Sequence, residues 1–206
     1  MPATATMETA HGMTEAPPKM EEKPEWWASP GTLGLFGFGM TTILAGLFVG
    51  GWISVGPVLS MALFYGGTAQ FLAGIIAFRK GNMFAGSAFA SYGMFWWAFN
   101  WFNVQYPTLS DGYSIAAFQF VWFMVTLTFL LCSYKHGLGV FLVFLTLTIA
   151  FILLTVLFYQ GAAGHALTMQ QDQIIGGEII LTGFLAWLTG TADLVNWNYG
   201  RKILPL

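Results

Sequence analysis

Long apolar runs separated by short polar breaks dominate the chain. Six such runs occupy roughly residues 33–50, 54–78, 83–104, 113–132, 138–160 and 174–197. A helix that crosses a bilayer needs about 20 predominantly apolar residues, and each run is close to that length. The breaks contain turn-forming or charged stretches such as "RKGN" and "SYKHG". The pattern predicts an all-α integral membrane protein with six transmembrane helices.

The first 28 residues differ from the rest. They contain no apolar stretch and are rich in Pro, Glu, Thr and Lys, a composition typical of disordered segments and unlike a cleavable signal peptide. We therefore expect a disordered N-terminal tail over residues 1–28 and a six-helix membrane domain over residues 29–206.

Basic residues predict the orientation. With six spans, every Lys and Arg falls in the two tails or in the second and fourth breaks, and the other three breaks have none; they are Lys19, Lys23, Arg79, Lys80, Lys135, Arg201 and Lys202. Cytoplasmic loops carry the excess of Lys and Arg, so both termini are predicted to be cytoplasmic.

Composition agrees with the membrane class and excludes others. The chain is 56% hydrophobic and 8% charged, against about a quarter charged in soluble domains. Seven basic residues and a net charge of -2 argue against nucleic-acid binding. His11, His136 and His165 have no metal-ligand spacing, and no common catalytic motif occurs. No metal, cofactor or enzymatic reaction is therefore expected.

Polar side chains inside three spans are candidates for a pathway. In the first span Phe38, Thr41 and Thr42 share one helical face, together with Gly34 and Ala45. Gln70 lies among small residues in the second span, where a polar group serves either to bond helices together or to line a pore. In the third span Ser87 lies above Ser91, and Tyr92, one position further, is either a packing or a pathway residue.

The sixth span carries a polar stripe about 60° wide along its length, formed by Glu178, Thr182, Thr189, Asp193 and Asn196. Charged groups in a span usually face the bundle interior or a wet cavity. Glu178 and Asp193 also lie near the two ends of the span, where solvation at the interface is the alternative. The polar groups together suggest a bundle around a path for a small polar solute.

Three blocks of sequence resemble the acetate/succinate transporter family (AceTr). "SPGTLGLFGFGMTTIL" is similar to its signature N-P-A-P-L-G-L, retaining Pro30, Leu33, Gly34 and Leu35, while Ser29, Gly31 and Thr32 differ. "FYGGTAQFLAGIIAFRKGNMFAGSAFASYGMFWW" resembles its most distinctive block, and "NYGRKILPL" its C-terminal end. The resemblance covers nearly everything from residue 29 onward and leaves the tail outside.

The resemblance implies passage of acetate and succinate across the plasma membrane by a hexamer in which each protomer has its own pore. It implies a constriction at Phe38, Tyr92 and Leu147, of which Leu147 rests on the resemblance alone. The side chains of Thr41, Thr42, Gln70, Ser87 and Ser91 and the Tyr92 hydroxyl suit the weak donor sites that an anion path needs. Whether the protein is an anion channel or a proton-coupled permease stays open; in a symporter, Glu178 or Asp193 could relay protons.

Two other functions remain as alternatives. One is a channel or carrier for a different small solute, such as formate, lactate or a neutral molecule. The other is a membrane scaffold without transport, which the polar stripe on the sixth span disfavours. Solute competition and flux in proteoliposomes separate them.

Overall fold

The structure is a computed structural model that describes residues 28–108 and 111–205. The predicted tail lies outside these residues except for Ala28. Over the described part, six long helices follow one another: α1 Gly31–Val49, α2 Gly56–Arg79, α3 Met83–Gln105, α4 Gly112–Ser133, α5 Leu138–Ala162 and α6 Met169–Tyr199. The prediction of six helices is confirmed, with bounds within three residues except at the start of α6.

Five of these helices are long and apolar enough, by length and composition, to cross a membrane. The remaining helix, α3, is 23 residues long and carries no charged residue, but Asn100, Asn103 and Gln105 make its last turns polar. Two of these amides donate to backbone carbonyls, Asn100 to Leu59 of α2 and Asn103 to Phe99, whereas Gln105 is exposed.

Helix α6 begins earlier than the sequence pattern predicts. The stretch "TMQQDQ" was expected to be loop because it is polar. Instead, the Thr168 hydroxyl oxygen accepts the Gln171 N–H at 3.2 Å, and the Gln171 side-chain oxygen accepts the Thr168 N–H at 2.9 Å. This capping box starts the helix at Met169, and α6 extends for 31 residues, about 46 Å.

Helix α2 contains a π-helical segment, Phe64–Ala69, in its middle. The Thr68 hydroxyl donates to the Leu63 carbonyl five residues earlier, and the Trp97 indole N–H of α3 donates to the same carbonyl. Gly67 fits here because a Cβ would lie 2.4 Å from the Trp97 ring. The segment ends at Ala69, which places Gln70 at the start of the following α-helical turn.

Glycines bring α1 and α6 into close antiparallel contact. A Cβ on Gly39 would lie 2.7 Å from the Gly183 carbonyl oxygen, and one on Gly46 would lie 2.6 Å from that of Gly176. A Cβ on Gly176 or on Gly183 would clash with α1 in the same way. The two backbones can therefore approach closely because glycine has no side chain at these positions. The glycines of the first span therefore serve helix packing.

Large aromatic side chains fill the space between α3 and its neighbours α4 and α5. Phe95 packs against Phe118 and Trp122 of α4 and against Phe151 of α5, with ring centroids 5.1–5.7 Å apart. These contacts are made by aromatic rings and not by closely packed backbones. Cavities remain in the central region that the helices surround. That region contains the cavities described next.

Candidate functional site

A first cavity of about 250 Å³ lies at the end of the bundle where α1, α3 and α5 begin and where α2 and α6 end. Much of its wall is apolar, including Leu35, Ala88 and Val143. Polar and charged side chains also line it, namely Ser29, Gln70, Lys80, Asn82, Tyr92, His136 and Asp193. On the predicted orientation this end faces the cytoplasm.

A second cavity of about 80 Å³ lies in the opposite half of the bundle. Its wall is mostly aromatic and aliphatic, from the later turns of α1 and α5, the middle of α3 and single positions of α4 and α6. Three lining residues carry a polar side-chain atom, Thr42, Trp96 and Gln119, and none of the lining residues carries a charge.

Phe38 and Leu147 line both cavities and so lie where the two approach each other. Tyr92 lines the first cavity, and its ring centroid is 5.6 Å from that of Phe38 in an edge-on arrangement. All three side chains are buried. The structure thus brings together the three residues expected at a constriction, including Leu147, which the helical pattern alone did not single out.

The hydroxyl of Tyr92 is already bonded within the protein. Its oxygen is 2.8 Å from the Thr126 hydroxyl oxygen, and the Thr126 hydroxyl donates to the Trp122 carbonyl at 2.7 Å. Thr126 has a single proton, so Tyr92 is the donor in the bond between them. The expectation that the Tyr92 hydroxyl donates to a passing anion is therefore not supported.

The hydroxyls of two threonines in the first span are also hydrogen-bonded within the protein. The Thr41 hydroxyl donates to the Gly37 carbonyl at 2.8 Å, and the Thr42 hydroxyl to the Phe38 carbonyl at 2.7 Å. Thr42 lines the second cavity, whereas Thr41 is fully buried beside Gly66 and lines neither. Such bonds satisfy a hydroxyl inside an apolar helix and leave it no proton for a solute.

Gln70 differs from these threonines. It lines the first cavity, is 1% exposed, and its side-chain oxygen has no hydrogen-bond partner among the described residues. A buried amide atom without a partner costs about 1–3 kcal/mol. Gln70 is therefore the predicted pathway residue whose side-chain oxygen still has capacity for a hydrogen bond.

Ser87 and Ser91 are partly buried on α3 and lie outside the linings of both cavities. The cavities use the neighbouring face of α3, which carries Ala88, Tyr92 and Phe95. The prediction that these serines line the path does not match the structure, because a rotation of about 100° per residue separates Ser91 from Tyr92.

The stripe on α6 divides among several environments. Asp193 is exposed and lines the first cavity. Glu178 lines neither cavity, and one of its carboxylate oxygens accepts the Thr182 hydroxyl at 3.3 Å.

Thr189 packs against α5, where a Cβ on Gly139 would lie 2.5 Å from its hydroxyl. Asn196 bonds to the backbone of Ile203 and Leu204. The stripe is therefore not one continuous wall of a path.

The signature residues have mixed roles. Pro30 and Leu35 line the first cavity, Gly34 makes room for the Phe89 ring, and Leu33 is exposed. Sequence reasoning missed six lining residues with polar groups, Ser29, Lys80, Asn82, Trp96, Gln119 and His136. Gln119 could have been found, because it is a lone amide in an apolar run, as Gln70 is.

Six long helices around two cavities in series are the architecture of a multi-pass membrane transport protein. The sequence model of the GPR1/FUN34/yaaH family matches residues 12–200. The chain belongs to this family, and the likeness extends into the tail that the sequence blocks left outside.

Individual relatives also support membership of this family. The chain is 34% identical over 185 residues to the succinate-acetate/proton symporter SatP of Escherichia coli K12, covering 87% of this chain and 95% of that one. It is 31% identical over 196 residues to acetate permease A of Emericella nidulans, covering 87% and 66%. The solved structure of the bacterial acetate channel SatP superposes with a TM-score of 0.79 at 32% identity, covering 87% of this chain and 99% of that chain.

Proposed function

We propose that the chain transports acetate and related small carboxylates, succinate included, across the plasma membrane. The observation that carries the proposal is a pair of cavities in series, meeting at Phe38 and Leu147. The fold around them matches a bacterial acetate channel closely. Relatives named for acetate and succinate transport support the choice of solute. The proposal includes no chemical conversion of the solute.

Phe38, Tyr92 and Leu147 form the constriction in this proposal. Three buried apolar groups leave a small methyl group a favourable path and oppose bulky or strongly hydrated solutes. The Phe38 and Tyr92 rings hold each other edge-on, which restricts both side chains.

The first cavity is the place where the anion leaves water. Lys80 and His136 place side-chain nitrogens on its wall, and Gln70 adds an amide. The first turn of α1 also begins here, where free backbone N–H groups favour an anion. The negative charge of Asp193 on the same wall limits the affinity of the cavity for an anion. A limited affinity allows the anion to be released as well as bound.

Each protomer of a homohexamer carries its own pathway in this proposal. Helices of a single chain surround both cavities, which supports a separate path in each protomer. Exposed apolar side chains on the outside of the bundle, such as Leu131 and Trp197, suit lipid or a neighbouring protomer. Native mass spectrometry of the purified protein checks the number of chains.

Flux of [¹⁴C]acetate into proteoliposomes tests the function, with the pH gradient and the voltage clamped separately. We expect saturable uptake by the wild type, reduced by formate and lactate only if these solutes share the path. A channel follows the electrochemical gradient of the anion, whereas a symporter also follows the pH gradient.

Phe38→Ala and Leu147→Ala test the constriction in the same assay. Each removes most of a side chain that lines both cavities, so we expect longer carboxylates such as butyrate to enter several-fold faster relative to acetate. Phe64→Ala is the matched control because Phe64 is 69% exposed on α2. Unchanged selectivity in both constriction variants would contradict the assignment.

A further inference from the structure

The second cavity differs from the first in its electrostatics. Lys80, His136 and Asp193 line the first cavity, whereas no residue that lines the second carries a charge. Glu178 precedes the lining residue Ile179 on α6, lies outside the lining itself and accepts the Thr182 hydroxyl. Placing an anion in surroundings without a compensating charge is costly. A neutral solute is favoured in the second cavity.

Two buried polar atoms of the same lining lack a partner. The indole nitrogen of Trp96 and the side-chain oxygen of Gln119 make no hydrogen bond to any described residue, although each residue is 4% exposed. Buried polar groups are nearly always paired, so these two exceptions need an explanation. The third polar residue of the lining, Thr42, gives its proton to the Phe38 carbonyl.

The two atoms have opposite requirements. The Trp96 N–H is only a donor and needs an acceptor, whereas the Gln119 oxygen is only an acceptor and needs a donor. A carboxylate offers acceptors alone. A protonated carboxylic acid offers a carbonyl oxygen for the Trp96 N–H and an O–H for the Gln119 oxygen, and its alkyl group suits the Phe95, Phe99 and Phe151 rings of the lining.

We propose that the second cavity is a binding site for the neutral form of a small carboxylic acid, held by the Trp96 N–H and the Gln119 side-chain oxygen. The proposal rests on the transport function proposed above and adds the protonation state that this half of the path accepts. The cavity, about 80 Å³, exceeds the roughly 10–15 Å³ that one water requires.

Acetamide is the probe because it has nearly the shape of acetic acid, offers an acceptor and a donor, and does not ionise in the relevant range. Saturation-transfer NMR on the purified full-length protein reads binding of its methyl group without any transport. We expect the same acetamide affinity at pH 5 and pH 7. The total acetate needed to displace it should rise about tenfold per pH unit, since a carboxyl group of this kind has a pKa near 4.3.

Gln119→Met and Trp96→Phe preserve size and remove one unpaired polar atom each, so both should fold. We expect acetamide binding to weaken about tenfold in each variant, the loss of one hydrogen bond to a buried group. Gln105→Met is the matched control, because Gln105 is exposed at the end of α3 and lines neither cavity, and it should retain acetamide binding.

The proposal is overturned if acetamide does not bind the wild type, which would leave water as the occupant. It is also overturned if Gln119→Met binds acetamide normally, or if acetate displaces acetamide equally well at pH 5 and pH 7. Acetate flux with any of these results would leave the transport function intact and reject this site alone. Absence of acetate flux alongside normal acetamide binding would reject the transport function instead.

Discussion

The bond between Tyr92 and Thr126 separates two roles that one tyrosine could have. Because the Tyr92 hydroxyl donates to Thr126, we infer that its ring, and not its proton, acts on the solute. Tyr92→Phe keeps the ring and removes one buried hydrogen bond, at a cost of about 1 kcal/mol in stability. We expect acetate flux within about twofold of the wild type, and the thermal unfolding midpoint to fall by a few degrees.

Tyr92→Ala removes the ring and should raise the uptake of longer carboxylates relative to acetate. Thr126→Val is the control for the hydroxyl, since it deletes the acceptor while the ring stays. A Tyr92→Phe protein as defective in flux as Tyr92→Ala would show that the hydroxyl contacts the solute.

At the scale of single residues, sequence reasoning found side chains better than it found their roles. Phe38 and Tyr92 followed from helical faces, because 100° per residue places them toward the bundle interior. Leu147 could not be predicted in this way, because nothing in the sequence distinguishes one leucine in an apolar run from the others. The hydroxyls of Thr41 and Thr42 donate to carbonyls of their own helix, which a sequence does not show.

The contact between α1 and α6 depends on glycines at fixed positions, and adjacent glycines on α6 allow a sharp comparison. A Cβ on Gly176 would lie 2.6 Å from the Gly46 carbonyl oxygen, whereas one on Gly177 would meet nothing within 4 Å. We expect Gly176→Ala to destabilise the protein by about 1–3 kcal/mol, since the helices must separate.

Gly177→Ala is the matched control and should be neutral or stabilising, because alanine favours a helix over glycine by up to about 1 kcal/mol. Thermal unfolding in the same detergent measures both variants. Equal effects of the two substitutions would contradict close packing of α1 on α6.

At the scale of helices, the apolar pattern gave the number and bounds of the spans but missed two features. The start of α6 depends on a capping box at Thr168 and Gln171, inside a stretch too polar to read as a membrane helix. The π-helical segment Phe64–Ala69 depends on Trp97 of another helix, which bonds to the Leu63 carbonyl and the Thr68 hydroxyl. Contacts between distant parts of a chain leave little trace in a local pattern.

The position of the basic residues makes a prediction about the whole molecule. Lys135 lies between α4 and α5, at the end of the bundle where both described termini lie, and Ala163 lies between α5 and α6 at the other end. In a Cys132→Ser background, we expect Ala163→Cys to react with a membrane-impermeant maleimide in intact cells. Lys135→Cys should react only after permeabilisation, because basic loops stay cytoplasmic. The reverse labelling would place both termini outside.

Coupling to protons is a property of the complete path, and the two carboxylates of α6 occupy unequal places in it. Asp193 is the acidic residue on the wall of the first cavity, whereas Glu178 lies outside both linings and 15 residues away, about 22 Å along the helix. That distance prevents direct proton transfer between them. We therefore expect Asp193→Asn to reduce the dependence of acetate uptake on an imposed pH gradient at clamped voltage, and Glu178→Gln to leave it unchanged. If uptake by Asp193→Asn follows the pH gradient as in the wild type, Asp193 is not part of a proton path. If Glu178→Gln reduces this dependence instead, the proton path includes Glu178, which lies outside the first cavity.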